Sequence, residues 1–260
     1  MNVDLSGCLE EMERRALLPD DRLAVICVGS VARGWANDSS DFDFHVITRE
    51  YWQGTDAGAL SVSLTPDSVP AVGVHVDDRR WEIKYWMDTH YDQMIAKVGW
   101  DRYEEGVASP KIFGATEELA LERILSCLVL SGEEWVRRRR EEIEASAFKA
   151  FATTRSLADA DGSLEDALGQ LAAGDTESAV LSARRALGHI VDALLESHGV
   201  YGYWQPKWRA RRFRDASPKQ LSFEEYWSLE TMRDFDPAAP EGWVTQVVRL
   251  CHRLFPEIEV

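Results

Sequence analysis

The chain lacks most of the features that announce common enzyme mechanisms. Its four cysteines, Cys8, Cys27, Cys127 and Cys251, lie far apart with no C-x-x-C pair. That excludes a disulfide framework or a clustered zinc site and leaves the reduced thiols of a cytoplasmic protein as the expectation. No apolar run approaches the length of a membrane span, and the N-terminal MNVDLSGCLEEMERR is acidic and without a signal-peptide pattern. No G-x-S-x-G elbow, G-x-x-x-x-G-K-[ST] loop or Cys/His pair in a recognisable setting occurs, so nothing points to a protein nucleophile. Positive charge is also short. Twenty-nine Lys and Arg against 45 Asp and Glu give a formal charge of −16, which argues against a large nucleic-acid partner.

What remains is ordinary for a globular protein, with 45% hydrophobic and 28% charged residues in 260. Helical spacing over 3–17 precedes strand patterns near 23–28, 42–47, 72–76 and 80–86. The small, polar segment 54–70 reads as a loop with a short element inside it. From Thr89 onward the strand signals stop, and helical patterns run over 89–99, 116–130, 132–160, 163–173 and 175–198, with Gly162-Ser163 and Gly174-Asp175 as helix boundaries. The expectation is an α+β protein, with a small mixed sheet flanked by helices in residues 1–100 and an all-helical domain in 101–260. Ligand sites commonly form between such domains, so the substrate is expected there.

The most informative stretch is Val25 to Ile47, VICVGSVARGWANDSSDFDFHVI. An apolar run ends at Gly29-Ser30, and Asp41 and Asp43 follow one residue apart. In an extended strand those two carboxylates share a face, while Phe42 and Phe44 point into a core. Adjacent carboxylates repel each other unless a cation sits between them, and hard oxygen ligands suit Mg²⁺. Gly29 permits close backbone approach to a ligand, and Ser30 adds a hydroxyl.

This stretch resembles the signature of the DNA polymerase β-like nucleotidyltransferase superfamily: an apolar residue, Gly-Ser, roughly ten residues, then Asp-x-Asp. It stands here as Val28-Gly29-Ser30 followed by Asp41-Phe42-Asp43, and the Ser-Val-Ala-Arg-Gly run and the Ser40-Asp41 pair are typical of small bacterial members. The resemblance implies a nucleotidyltransferase fold with a helical C-terminal domain, as in aminoglycoside and lincosamide nucleotidyltransferases. It assigns Gly29, Ser30, Arg33 and Ser40 to the nucleoside triphosphate (ATP or another), and Asp41 and Asp43 to the metal.

The family normally has a third carboxylate on a neighbouring strand. On Arg80–Trp86, Trp81, Ile83 and Tyr85 share one face, and Arg80, Glu82 and Lys84 the other. An acidic side chain within such a strand needs a partner. A shared metal makes Glu82 the third ligand and general base, and an exposed salt bridge with Arg80 or Lys84 is the alternative. Two Mg²⁺ ions on Asp41, Asp43 and Glu82 would then support in-line attack of an acceptor hydroxyl on the α-phosphorus, with loss of pyrophosphate.

A second constellation is GVYGYWQPKWRARRFR, residues 199–214. Its aromatics and basic side chains, Lys207 foremost, could stack a base and hold phosphates, or Trp204 and Trp208 could pack a core beneath surface arginines. His45 and His75 are lesser candidates for the site. The sequence supports a transferase acting on a small-molecule hydroxyl, of an antibiotic or natural product. A modifier of protein or tRNA, and a nucleotide-binding module without catalysis, are the alternatives. Oligomeric state is not legible.

Overall fold

The apolar run that ends at Gly29 forms strand β1 (Arg22–Val28), and Phe42–Thr48 forms β2, antiparallel to it with Val28 opposite Asp43. These strands belong to the computed structural model of the chain, which describes residues 4–54, 58–106, 112 and 114–260. The strands β3 (Gly58–Ser61), β4 (Ser68–Val76), β5 (Arg79–Met87) and β6 (Leu128–Ser131) complete a mixed six-stranded sheet in the order β3-β4-β5-β2-β1-β6. β2 pairs with β5 in parallel, the geometry that brings Asp43 opposite Glu82.

Period-two alternation splits the sheet into two faces. Val25, Cys27, Phe42, Phe44, Trp81, Ile83 and Tyr85 are buried in a core that includes Cys8 and Met12 of helix α1 (Cys8–Arg14). Phe42 and Phe44 therefore point inward, as their spacing predicts. The short α2 (Gly29–Ala32) adds Val31 to that core, and on the other face α3 (Asp88–Lys97), α5 (Ala115–Ser126) and α6 (Glu133–Ala145) pack together beside β5 and β1, with α4 (Trp100–Glu104) between α3 and α5 in the chain. The buried Trp86 meets His90 and Tyr91 of α3, and Tyr91 meets Trp135 of α6 with ring centroids 5.2 Å apart.

This first unit extends to Ala147, so the boundary expected at residue 100 falls inside it. The physical reason is β6. The helix expected over 116–130 ends at Ser126, and Leu128–Ser131 pair antiparallel with β1 instead, so strand structure does not end before Thr89. A short apolar run has no period of its own, and an open strand edge decides its conformation.

The second unit, Phe148–Val260, is helical among its described residues. α7 (Phe148–Ala172) and α8 (Thr176–Ser197) form a hairpin, followed by α9 (Arg209–Ala216), α10 (Phe223–Glu230) and α11 (Glu241–Leu254). Alanines 179, 183 and 186 on α8 are fully buried, and their small size permits close helix approach. The turn at Gly174-Asp175 is as predicted, with Asp175 capping α8 by accepting from the Ser178 amide. The boundary expected at Gly162-Ser163 is absent. Glycine weakens a helix by only about 1 kcal/mol, and the neighbouring Ala160, Ser163, Leu164 and Ala167 are buried on one side of α7. Conversely, the predicted helix over 132–160 breaks at Ser146-Ala147, between α6 and α7. The architecture is α+β, a mixed sheet with helices followed by a helical unit.

Candidate functional site

The site is built where β1 ends. Gly29 has φ +74°, and a Cβ placed on it would lie 2.5 Å from Oδ2 of Asp43. Only glycine meets both demands, the left-handed backbone and the close approach of the carboxylate. The next residues make a single helical turn, in which the amides of Arg33 and Trp35 donate to the carbonyls of Gly29 and Ser30. Ser30 is half-buried at the start of that turn. The Arg33 guanidinium lies over the Trp35 ring, 4.9 Å from its centroid. Ser40 closes the loop back on itself, accepting from the Asn37 amide at 2.9 Å and donating to the Asn37 Oδ1 at 3.2 Å.

The three carboxylates approach this turn from two strands. Asp43 and Glu82 are register partners in the parallel pair, so their side chains leave the sheet on the same side. Asp41 stands one residue before β2 begins. Across β5, the register partners of Glu82 and Lys84 are Gly73 and Ala71, so no bulky side chain of β4 crowds them. Three cations of the chain share this ground. Arg80 reaches Asp41 at 3.2 Å, with both side chains about half exposed. Lys84 Nζ sits 2.9 Å from Glu82 Oε1, with side-chain exposures of only 15% and 29%. Arg123 of α5 donates to His45 Nε2 at 3.2 Å.

Their electrostatics differ. Burial raises the Asp43 pKa, and the like charges of Glu82 and Asp41 add to that against the opposing pull of Arg123 and Lys84. At Glu82, partial burial works upward but is outweighed by the Lys84 hydrogen bond and the charges of Lys84, Arg80 and Arg123, and the pKa falls. Asp43 is thus the poorly compensated acid of the set and Glu82 the well compensated one. All the donors are hard oxygens, the chemistry that Mg²⁺ takes. Among the described residues, however, no group of three or more His, Cys, Asp or Glu is gathered closely enough to hold a metal ion. The residues fit a divalent cation in kind, and the chain's own cations already engage them.

The lesser candidates fall into place around this set. His45 shares the face of Asp43, is buried, and has its pKa held well below the usual range by burial and by Arg123 and Lys84. His75 is exposed on β4 opposite Arg80. Lys207 belongs to the second unit, where it is exposed with Nζ 5.6 Å from the Trp208 ring. The arginines that follow it are not all surface residues. Arg209 and Arg212 both bind the buried Asp192, at 2.7 and 2.6 Å, and Arg212 is itself fully buried. Tyr201 packs on Phe148, while Trp204 remains 44% exposed. The Arg137–Arg140 run divides in the same way: Arg137 makes surface pairs with Glu134 and Glu141, but Arg139 is buried and joined to Asp88, Asp92 and Glu142.

Sequence reasoning missed Arg123 altogether, since nothing in α5 marks one arginine as facing the strand acids. Lys84 and Arg80 were visible as same-face neighbours of Glu82 through their spacing of two.

Among solved structures, the chain is similar to a nucleotidyltransferase-like protein from Exiguobacterium sibiricum, with a TM-score of 0.52 at 10% identity over 96% of this chain and 74% of that one. At that identity the likeness is one of fold. No family profile matches the chain, and no curated protein matches it in sequence.

Proposed function

We propose that this protein is a Mg²⁺-dependent nucleotidyltransferase that moves a nucleoside monophosphate from a nucleoside triphosphate to a hydroxyl of a small molecule. The observation that carries the reading is the contact of Gly29 with Asp43 beside the Asp43–Glu82 register pair, a backbone turn and two carboxylates presented together. The nucleotidyltransferase-like fold of the Exiguobacterium sibiricum protein supports it. Asp41 and Asp43 would hold Mg²⁺, with Glu82 beside them, and the ion when bound neutralises phosphate charge and lowers the pKa of a coordinated hydroxyl. Gly29 and Ser30 offer an amide and a hydroxyl to the triphosphate, with Arg33 and Ser40 on the same loop. Lys84 and Arg123 add positive charge where the leaving oxygens would carry negative charge. Glu82, kept ionised, takes the proton of the acceptor hydroxyl. The acceptor oxygen bonds to the α-phosphorus as the bond to the β-phosphate oxygen breaks, and pyrophosphate leaves.

The net charge of −16 favours a cationic or neutral acceptor such as an aminoglycoside or a related natural product. A protein or tRNA acceptor is the second choice within the same chemistry. A nucleotide-binding module without catalysis is favoured by one observation, the Lys84–Glu82 and Arg80–Asp41 ion pairs that occupy the acids. The test is pyrophosphate release from each of the four NTPs with Mg²⁺ over a panel of amine-bearing and neutral hydroxyl acceptors. Acceptor-dependent release that is lost in Asp43→Ala supports the transferase. Nucleotide binding with no release from any acceptor, macromolecules included, supports the module.

A further inference from the structure

Lys84 is the more enclosed of the two cations that form ion pairs with the strand acids. It lies on the same face of β5 as Glu82, two residues on, and its register partner on β4 is only an alanine. Its Nζ is 2.9 Å from Glu82, with the lysine side chain 15% exposed, whereas the Arg80–Asp41 pair is open to solvent at 52% and 43%. Exposed pairs of that kind are worth between zero and about 1 kcal/mol and are easily displaced. An enclosed one is not, because each partner would be left in a poorly solvated place. Asp41, Asp43 and Glu82 carry three negative charges, and Arg80, Lys84 and Arg123 face them with three positive ones. The chain's own charges at the site nearly balance, and among the described residues no three acids are gathered around a common point.

We propose that Lys84 is a built-in cation of the carboxylate set, standing where a second divalent ion would draw on Glu82, so that the chain admits a single divalent ion and only together with a nucleoside triphosphate. This rests on the nucleotidyltransferase reading for the identity of the nucleotide. A Mg²⁺ that carries triphosphate oxygens needs only one or two carboxylates. Asp41 and Asp43 supply them once the exposed Arg80 swings away. A second ion would need Glu82, and Glu82 is bound to Lys84. Without nucleotide the balanced charges leave little to attract a free divalent ion.

The probe is Mn²⁺, counted by electron paramagnetic resonance on the full chain, alone and with α,β-methylene-ATP. The wild type alone is expected to leave Mn²⁺ free, and with the analogue to bind one Mn²⁺ per chain. Lys84→Met alone should acquire Mn²⁺ affinity at least about tenfold above wild type, because the acids then outnumber the cations that face them. Lys84→Arg should behave as wild type. Should Lys84→Met fail to fold, Lys84→Gln takes its place. Glu82→Gln with the analogue should still bind one ion, where a two-ion site would lose one. Tight Mn²⁺ binding by the wild type alone, two ions per chain with the analogue, or no gain in the lysine variants would overturn the proposal. If the analogue binds no variant, the nucleotidyltransferase reading fails, and the role of Lys84 stands or falls on the nucleotide-free comparison.

Discussion

Two aspartates in the two units show opposite uses of burial. Asp43, at the sheet site, is raised by burial and by two neighbouring acids, and its compensating cations do not reverse that. Asp192, in the helical unit, is fully buried, yet Arg212 and Arg209 outweigh the burial and lower its pKa. Asp192 is thus an anchor whose charge the surrounding helices satisfy, while Asp43 is an acid kept in an unfavourable state by its surroundings. Such uneven compensation is what functional sites accumulate and structural cores avoid.

The sharpest way to break this contrast is to remove each acid in turn. Asp192→Ala leaves two arginines without their carboxylate, and loss of one partner from a buried pair destabilises by about 3–5 kcal/mol. Urea unfolding followed by circular dichroism should place the transition of the second unit at lower denaturant. Gly29→Ala comes next. A left-handed non-glycine residue costs roughly 1–2 kcal/mol, and its Cβ would push into Asp43 at 2.5 Å. Nucleotide binding by calorimetry should be lost together with that stability. Asp43→Asn should move the other way from Asp192→Ala, raising the unfolding midpoint of the first unit while pyrophosphate release disappears. If both aspartate variants shift stability in the same direction, the comparison fails.

Acid sharpens it further. Because the Asp192 pKa is lowered on folding, its stabilisation is complete above the ordinary carboxylate value of about 4 and is lost as pH falls through the lower folded value. Asp43, raised on folding, gives the reverse sign: the first unit gains from it as pH falls through the folded value toward the ordinary one. Thermal melts between neutral pH and pH 3 should show the helical unit weakening first on this account. The smallest effect is expected from Arg80→Ala, within about 0.5 kcal/mol of wild type because its pair is exposed.

The legible parts of the molecule were the local ones. β1, the Gly29 turn and β2 lie within one short stretch, so their alternation and punctuation could be read directly. Glu82 stands out because a strand acid between apolar neighbours calls for a partner, and the parallel β2–β5 pair places it beside Asp43. What the sequence hid depends on distant neighbours. Leu128–Ser131 becomes a strand only because the edge of β1 is open to it. Gly162 stays helical because the residues around it are buried. KWRARRFR reads only as a basic run because Asp192, the acid that binds Arg209 and Arg212, lies on another helix. Arg123 is silent for the same reason, since helix spacing alone does not say which cation faces a carboxylate.

The parallel pairing of β2 with β5 also sets an order in time. β1 and β2 meet through a short connection, whereas β5 returns to β2 only after the chain has run through β3 and β4. Closing that longer path is the slower event, as non-local contacts generally are. During refolding, the turn at Gly29 and the acid at Asp43 can therefore form before Glu82 and Lys84 arrive, and the carboxylate set is complete only when the sheet is closed at its centre.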